Sequence, residues 1–348
     1  MDKLDLEIIK LLSRRAKLIR DIGRIKKSHS LEIFAPDREK EVYDKVARAN
    51  KGIFPSEALH AVYREIMSGS LALEKPLKIA YLGPPATFTH IAATKRFGSC
   101  AEYVERDLIS EVFDEVESGC ADYGVVPVEN SLEGAIDHTL DRLIDADPSI
   151  RICSEIIIKI GHNLIGNAAI ANVKKVYSNP TVFEQCRSWL AGNLPKCVHV
   201  EFPTTSMAAA YVAAHPKAAA AIASDLAAKR YELKILARSI EDRGVRNVTR
   251  FLVIGKTQAN PTKEDKTSIM FSLKDKIGAL HGALVPFKKF GINLTKIESR
   301  PSKRKAWEYY FFVDFIGHYK SAKVTRLLGE LEKGCSYLKV LGSYPVGE

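Results

Sequence analysis

The chain lacks any apolar run near the roughly 18–20 residues that a helix needs to span a bilayer. Its first residues, MDKLDLEIIKLLSRRAK, are amphipathic and carry acids, which excludes a signal peptide and an ordinary transit peptide. A cytoplasmic protein with no membrane partner is the expectation. Cysteine is sparse: six residues, at 100, 120, 153, 186, 197 and 335, with no CxxC and no zinc-finger spacing to histidine. Free, mostly buried thiols in a reducing compartment follow. HExxH, Walker and GxGxxG patterns are absent too, so neither a metal nor a nucleotide cofactor is expected. The net charge is +10. Yet the basic residues are spread among acids, with no basic tail, basic helix or aromatic platform. That argues against nucleic acid and for small anionic ligands.

What is present falls into three segments, consistent with 348 residues. In the first, Leu4, Ile8, Leu11, Arg15, Leu18, Ile22 and Ile25 step by 4 and 3, a heptad seam on one long helix. Arg15 interrupts the stripe, and Lys26 lies three turns later on nearly the same face. A cation in an apolar seam is costly unless an anion meets it. Arg15 therefore pairs with a protein carboxylate, snorkels to water, or meets an anionic ligand. Pro36-Asp37-Arg38-Glu39 reads as a helix start. A third helix, with Ser56 as its cap, carries Leu59, Tyr63, Ile66, Ser70 and Leu73 in a second seam, and Glu74 follows one turn after Ser70. Three such helices cannot readily enclose a core alone, so a dimer is expected.

The second segment follows Glu74-Lys75-Pro76. "LKIAYLG" reads as a strand, "PPATFT" as a turn and "HIAATKRFG" as a helix. Continued alternation predicts an α/β unit with a largely parallel sheet. Ligands in such sheets lie at the carboxyl ends of strands, near helix starts. Thr87, Asn130 and Ser178 occupy such junctions. Asn130 with Glu133 also reads as a capping box, and Ser178 before Pro180 as a cap; capping and ligand binding are compatible. In "NVTRFLVIGK", Thr249 and Arg250 precede the buried-looking run Phe251-Leu252-Val253-Ile254, and strand alternation puts them on opposite faces. After the linker Gln258–Thr262, the third segment reads βαββαβ, the ferredoxin-like order.

In chain order the sequence carries "YLGPPATFTH", "VPVENSLEG", "SNPTVFEQC", "TRFLVIG", "KTSIMFSLKDKIGAL" and "GINLTKIESRP". On these motifs it resembles the bifunctional chorismate mutase/prephenate dehydratase family. The resemblance implies a multidomain protein: all-α AroQ-type mutase helices at 1–75, a two-lobed α/β dehydratase domain at 76–258, and a C-terminal ferredoxin-like βαββαβ ACT domain at 266–348. It implies two reactions, chorismate to prephenate and prephenate to phenylpyruvate with loss of water and CO2, under feedback by phenylalanine, in a homodimer or higher homo-oligomer.

The site residues follow from the same resemblance. Arg15, Lys26 and Arg38 would bind carboxylates or the ether oxygen of chorismate, Glu39 a substrate hydroxyl, and Ser70 and Glu74 would complete that pocket. Glu74 stands where many relatives have glutamine. A carboxylate cannot donate to an ether oxygen, so the residue must carry a proton there. Mutase turnover is then expected to fall as pH rises, and Glu74→Gln to flatten the profile. Two family groups are missing: an arginine near the start of the first helix, which the chain begins too late to include, and an acid common before Arg38, where Ala35 stands. Either the start lies further upstream or the mutase is weakened.

For the dehydratase, Thr249 would act as hydrogen-bond donor to the departing hydroxyl, its own acidity being far too weak for proton transfer. Asn130, Ser178 and Gln185 match further active-site positions. Thr87 and Arg250 would bind substrate, or Arg250 would tie the lobes together. The approach to Thr249 is one residue longer than the family spacing. Gly278, Ala279 and Leu280, with Asn293 and Leu294 and with Glu298, Ser299, Arg300 and Pro301, would bind the effector; Ile277 replaces a frequent proline. Two alternatives stand beside this reading. One is a regulated dehydratase whose helices only dimerise, which the missing arginine favours. The other is a non-catalytic amino-acid sensor, which the TRF and ENS motifs oppose.

Overall fold

The structure, a computed structural model, describes residues 1–28, 36–242, 247–303 and 307–347, with 26–28 described in backbone only. The first seam forms one helix, α1 (Asp2–Ser28). It is followed by α2 (Pro36–Ala49) and α3 (Ser56–Glu74). Pro36 suits the first turn, where an N–H would have no partner. Ser56 is already helical and Pro55 is the N-cap, so the expected serine cap is not made. α1 packs along α3, with Gly23 against Glu74. Its seam points outward: Leu4, Ile8, Leu11, Leu18, Ile22 and Ile25 are 48–59% exposed. The opposite side of α3 buries Met67 and Ser68, and Ser68 Oγ accepts from Cys100 N at 3.1 Å in the next unit.

That unit has two lobes. The first holds β1 (Lys78–Leu82), α4 (Phe88–Phe97), β2 (Glu102–Arg106), α5 (Ile109–Ser118), β3 (Tyr123–Asn130), β4 (Gly134–Ala135), α6 (Asp137–Asp145) and β5 (Arg151–Lys159). The second holds β6 (Asn163–Gly166), β7 (Lys175–Ser178), α7 (Pro180–Gln185), α8 (Arg187–Asn193), β8 (Val198–Glu201), α9 (Thr205–Ala214), β9 (Ala219–Ala223), α10 (Asp225–Arg230) and β10 (Lys234–Ala237). The chain then returns to the first lobe as β11 (Val248–Gly255), between β3 and β5. The two crossings lie side by side, Ile160 N donating to Asn247 O at 2.9 Å.

The sheets run β2-β1-β3-β11-β5, with β4 on β3, and β10-β6-β9-β7-β8. They are mixed rather than largely parallel. β11 is antiparallel to both neighbours because the chain re-enters from the second lobe, and β6 is antiparallel to β9 and β10. Alternation along β11 sends Phe251 and Val253 into the core under α4, and Leu252 and Ile254 into the core with α5 and α6. Both faces are buried, which is why the run is uninterrupted; each such side chain contributes roughly 1.5–3 kcal/mol.

The C-terminal unit is β12 (Asp265–Leu273), α11 (Ala279–Lys289), β13 (Leu294–Pro301), β14 (Tyr309–Ile316), α12 (Ala322–Gly334) and β15 (Cys335–Pro345). Its antiparallel sheet runs β13-β14-β12-β15. Met270, Tyr310, Phe312, Leu341 and Tyr344 join Leu252 and Ile254 in one core, so this sheet seals the back of the first lobe. Gly342 passes so close to the Ile152 backbone that no side chain fits there. Of the cysteines, Cys153 and Cys186 are buried, Cys100 and Cys120 are exposed and Cys197 and Cys335 are half-buried, so "mostly buried" does not hold.

Candidate active site

Thr249 and Asn130 face each other across the β11–β3 ladder. Asn130 Oδ1 accepts from the N–H groups of Leu132 and Glu133, at 2.9 and 3.1 Å. This closes a turn, not a helix start, since α6 begins at Asp137. Using the oxygen this way turns Nδ2 toward Asn247 Oδ1, 2.7 Å away, and Thr249 Oγ1, 2.8 Å away. Asn247 Nδ2 in turn donates to Gln185 Oε1 at 2.9 Å, and His162 Nε2 meets the same oxygen at 2.8 Å. An acceptor already engaged by Asn247 requires Nε2 of His162 to carry the hydrogen. Its Nδ1 is buried with no partner among the described residues. Burial lowers the His162 pKa from its ordinary 6.5, so the ring is neutral at neutral pH.

Residues from β3, β11, α7 and the two crossings thus form one connected polar row between the lobes. Asn130, Asn247, His162 and Thr249 are all buried. Because Thr249 Oγ1 accepts from Asn130, its own hydrogen is left to donate outward. The row contains no charged side chain. Buried between the lobes, it can donate to a leaving oxygen where water does not compete and such bonds are strongest. Asn247 and His162 were not anticipated from sequence. Asn247 lies two residues before Thr249, hence on the same strand face, and that periodicity was the available signal. His162 carried none.

Ser178 is fully buried and donates to Ile222 O at 3.0 Å; the cap of α7 is Asn179, which accepts from Thr181 N. Ser178 thus fixes β7 against β9 rather than entering the polar row. Thr87 caps α4, accepting from His90 N, and donates to Leu82 O at 3.2 Å. Its neighbour Phe88 packs edge-on against His162, so this turn borders the row.

Arg250 corrects the substrate-binding expectation. Its guanidinium is buried on the other face, donating to Glu155 at 2.7 Å, Asp314 at 2.5 Å and the Tyr344 hydroxyl at 2.9 Å. It joins the first lobe to the C-terminal unit, not lobe to lobe. Residues 243–246 of the approach to Thr249, where its length departs from the family spacing, lie outside the described residues.

In the helical unit Arg15 donates to Ser70 Oγ and to Ile66 O, and Glu74 lies against Gly23 of the same helix as Arg15. The structure gathers these three along α1 and α3. It does not gather Arg38 and Glu39 with them. Arg38 pairs with Glu41 at the surface. Glu39 pairs with Arg96 of α4 at 2.5 Å, and burial raises its pKa against the pull of that guanidinium. The physical reason is that α2 packs on α3 and β15, leaving a cavity of about 650 Å³ lined by Glu39, Lys40, Arg64, Lys95 and Arg96. The Lys26 side chain and Ala35 lie outside the described residues.

Gly278 takes φ +76 at the start of α11, a left-handed conformation that suits glycine, and Ala279 and Leu280 follow it. Glu298, Ser299, Arg300 and Pro301 end the edge strand β13 at the same end of the sheet. Asn293 precedes and Leu294 begins that strand, about 13 Å from Glu298 and about 23 Å from Pro301 at the usual rise per residue, so one chain does not unite the whole set. Arg300 is turned to α6, where it pairs with Asp137 at 2.6 Å and Asp141 at 3.0 Å. Among the described residues no group of His, Cys, Asp or Glu is placed to hold a metal ion, and no helix is long and apolar enough to cross a membrane.

Three family models match the chain in sequence: chorismate mutase type II over residues 1–75, prephenate dehydratase over 79–259 and the ACT domain over 267–332. A bifunctional chorismate mutase/prephenate dehydratase of Aquifex aeolicus is 51% identical over 99% of this chain and 96% of its own length. The solved prephenate dehydratase of Arthrobacter aurescens, in complex with L-Phe, covers 77% of this chain and 90% of its own at 30% identity and a TM-score of 0.70. A protein described as a novel type of quorum quenching acylase is similar over 77% of this chain and 97% of its own at 26% identity and a TM-score of 0.71. One fold thus serves differently named proteins, and the site has to discriminate. The motifs, the three matched models and the full-length relative agree: this chain belongs to the bifunctional chorismate mutase/prephenate dehydratase family.

Proposed function

We propose that the chain rearranges chorismate to prephenate, converts prephenate to phenylpyruvate with loss of water and CO2, and is restrained by phenylalanine. The observation that carries the dehydratase half is the Asn130–Thr249 bond. It sits in a neutral, buried row with Asn247, Gln185 and His162. Aromatisation drives the reaction. The protein has to orient prephenate and stabilise the departing hydroxyl, and Thr249 is the donor for that oxygen. Ser178 and Thr87 act by fixing the strands and helix around the row.

Arg15, Ser70 and Glu74, together with Lys26, serve the mutase half. Such a reaction needs only a dianion held compactly and charge stabilised on an ether oxygen. The working units are 1–75, 76–258 and 266–348. Effector binding falls to the Gly278–Leu280 turn and the Glu298–Pro301 strand end, with Asn293 and Leu294 supplied across a dimer. The homodimer is formed by the α1 seam, whose apolar residues are about half exposed among the described residues. A cytoplasmic location accords with these soluble substrates.

The test is separate assay of chorismate and prephenate turnover, each with and without millimolar phenylalanine. Thr249→Ala should lower prephenate turnover at least about 10²-fold and leave chorismate turnover intact. Parallel loss of both would indicate misfolding. Prephenate turnover without chorismate turnover would favour a helical unit that only dimerises.

A further inference from the structure

Glu129 and Arg250 pair across the same ladder as Asn130 and Thr249, one residue along and on the opposite face. Behind the catalytic pair they meet charges from the ACT domain. Lys296 of β13 donates to Glu129 at 3.0 Å, and Asp314 of β14 accepts from Arg250 at 2.5 Å. Lys266 of β12 and Arg250 share Glu155, each at 2.7 Å. Three cations and three anions therefore interlock. Apart from Glu129, at 38%, their side chains are at most 13% exposed. Charges so buried hold their partners in fixed geometry, because a misplaced one is neither solvated nor paired.

Neighbouring strand residues share a backbone and point oppositely. A shift of Glu129 or Arg250 is thus a shift of Asn130 or Thr249. We propose that Lys296 and Asp314 are positioning residues for dehydration: the ACT domain sets, from behind, the spacing at which Asn130 meets Thr249. Lys296 lies on the strand that ends in Glu298–Pro301, so the effector strand and the catalytic ladder are joined by one ion pair. The inference rests on the assignment of Asn130 and Thr249 to the dehydration site.

The test uses the full chain, well below its unfolding temperature, with prephenate and chorismate assayed in parallel. Lys296→Met should lower kcat for prephenate at least about fivefold, with KM within about twofold and chorismate turnover unchanged. Lys296→Arg should restore most of the rate. In a Glu129→Gln background the Lys296→Met loss should shrink to less than about twofold, because the pair is already broken. An unaltered kcat in Lys296→Met overturns the proposal, as does an equal loss in the Glu129→Gln background. Equal loss of both activities, the mark of a purely structural role, overturns it too. If Thr249→Ala keeps its prephenate turnover, the site assignment falls instead, and the positioning role with it.

Discussion

Asn130 Nδ2 donates to Thr249 Oγ1 at 2.8 Å while Asn130 Oδ1 holds two backbone N–H groups, so the amide is locked as donor to the threonine. Asn130→Asp keeps the size and the turn but presents an acceptor where a donor stood. Prephenate kcat should fall roughly 10²-fold with chorismate turnover unchanged. Steady-state kinetics on both substrates checks this; a drop of less than about threefold would remove Asn130 from the site.

His162 titrates with a defined sign. Its folded pKa is below 6.5 because of burial, so the unfolded chain binds that proton more readily. The stability it contributes is intact above about pH 6.5 and is lost as pH falls through the window beneath it. His162→Gln can still donate to Gln185 and does not titrate. Melting temperatures between pH 7.5 and 5.5 should decline less steeply in that variant than in the parent; equal slopes would refute the assignment.

Arg250→Met removes the hub of the buried charge cluster and strands Glu155 and Asp314 against fewer cations. A cost of about 3–5 kcal/mol is expected, read as a clear fall in melting temperature. Arg250→Lys should recover only part of it, since a compact ammonium lacks the planar fork that reaches Glu155, Glu129, Asp314 and Tyr344 at once. A variant melting with the parent would show that the cluster contributes no net stability.

Leu18→Glu places a charge in the exposed α1 seam. If the seam is the dimer contact, dissociation measured by sedimentation should shift to at least about tenfold higher protein concentration. An unchanged dissociation profile would leave the seam without that role.

Much of this was legible in sequence because it is periodic. The 4-3 steps marked α1, and strand alternation separated Thr249 from Arg250. What was not legible is non-local. That β11 lies antiparallel between β3 and β5 depends on where the chain re-enters after the second lobe, which no window reveals. Arg250 looked like a ligand for an anionic substrate, but its anions come from positions 155 and 314, far along the chain. The resemblance put Arg38 and Glu39 in one pocket with Arg15, yet the packing of α2 sends Glu39 to Arg96. His162 is a single polar residue in a crossing, without pattern. The cleft row was therefore found in part by motif and completed only by geometry.

The late arrival of β11 also bears on synthesis. Until residue 255 has emerged, the first sheet has an open slot between β3 and β5, with two rows of unpaired backbone groups. Between Lys159 and Val248 the ribosome makes the whole second lobe, roughly 5–20 s at about 5–20 residues per second. Thr249 comes at the end of that interval, in the strand that closes the slot. A nascent chain that stops short of it has Asn130 without the threonine hydroxyl to which its Nδ2 donates.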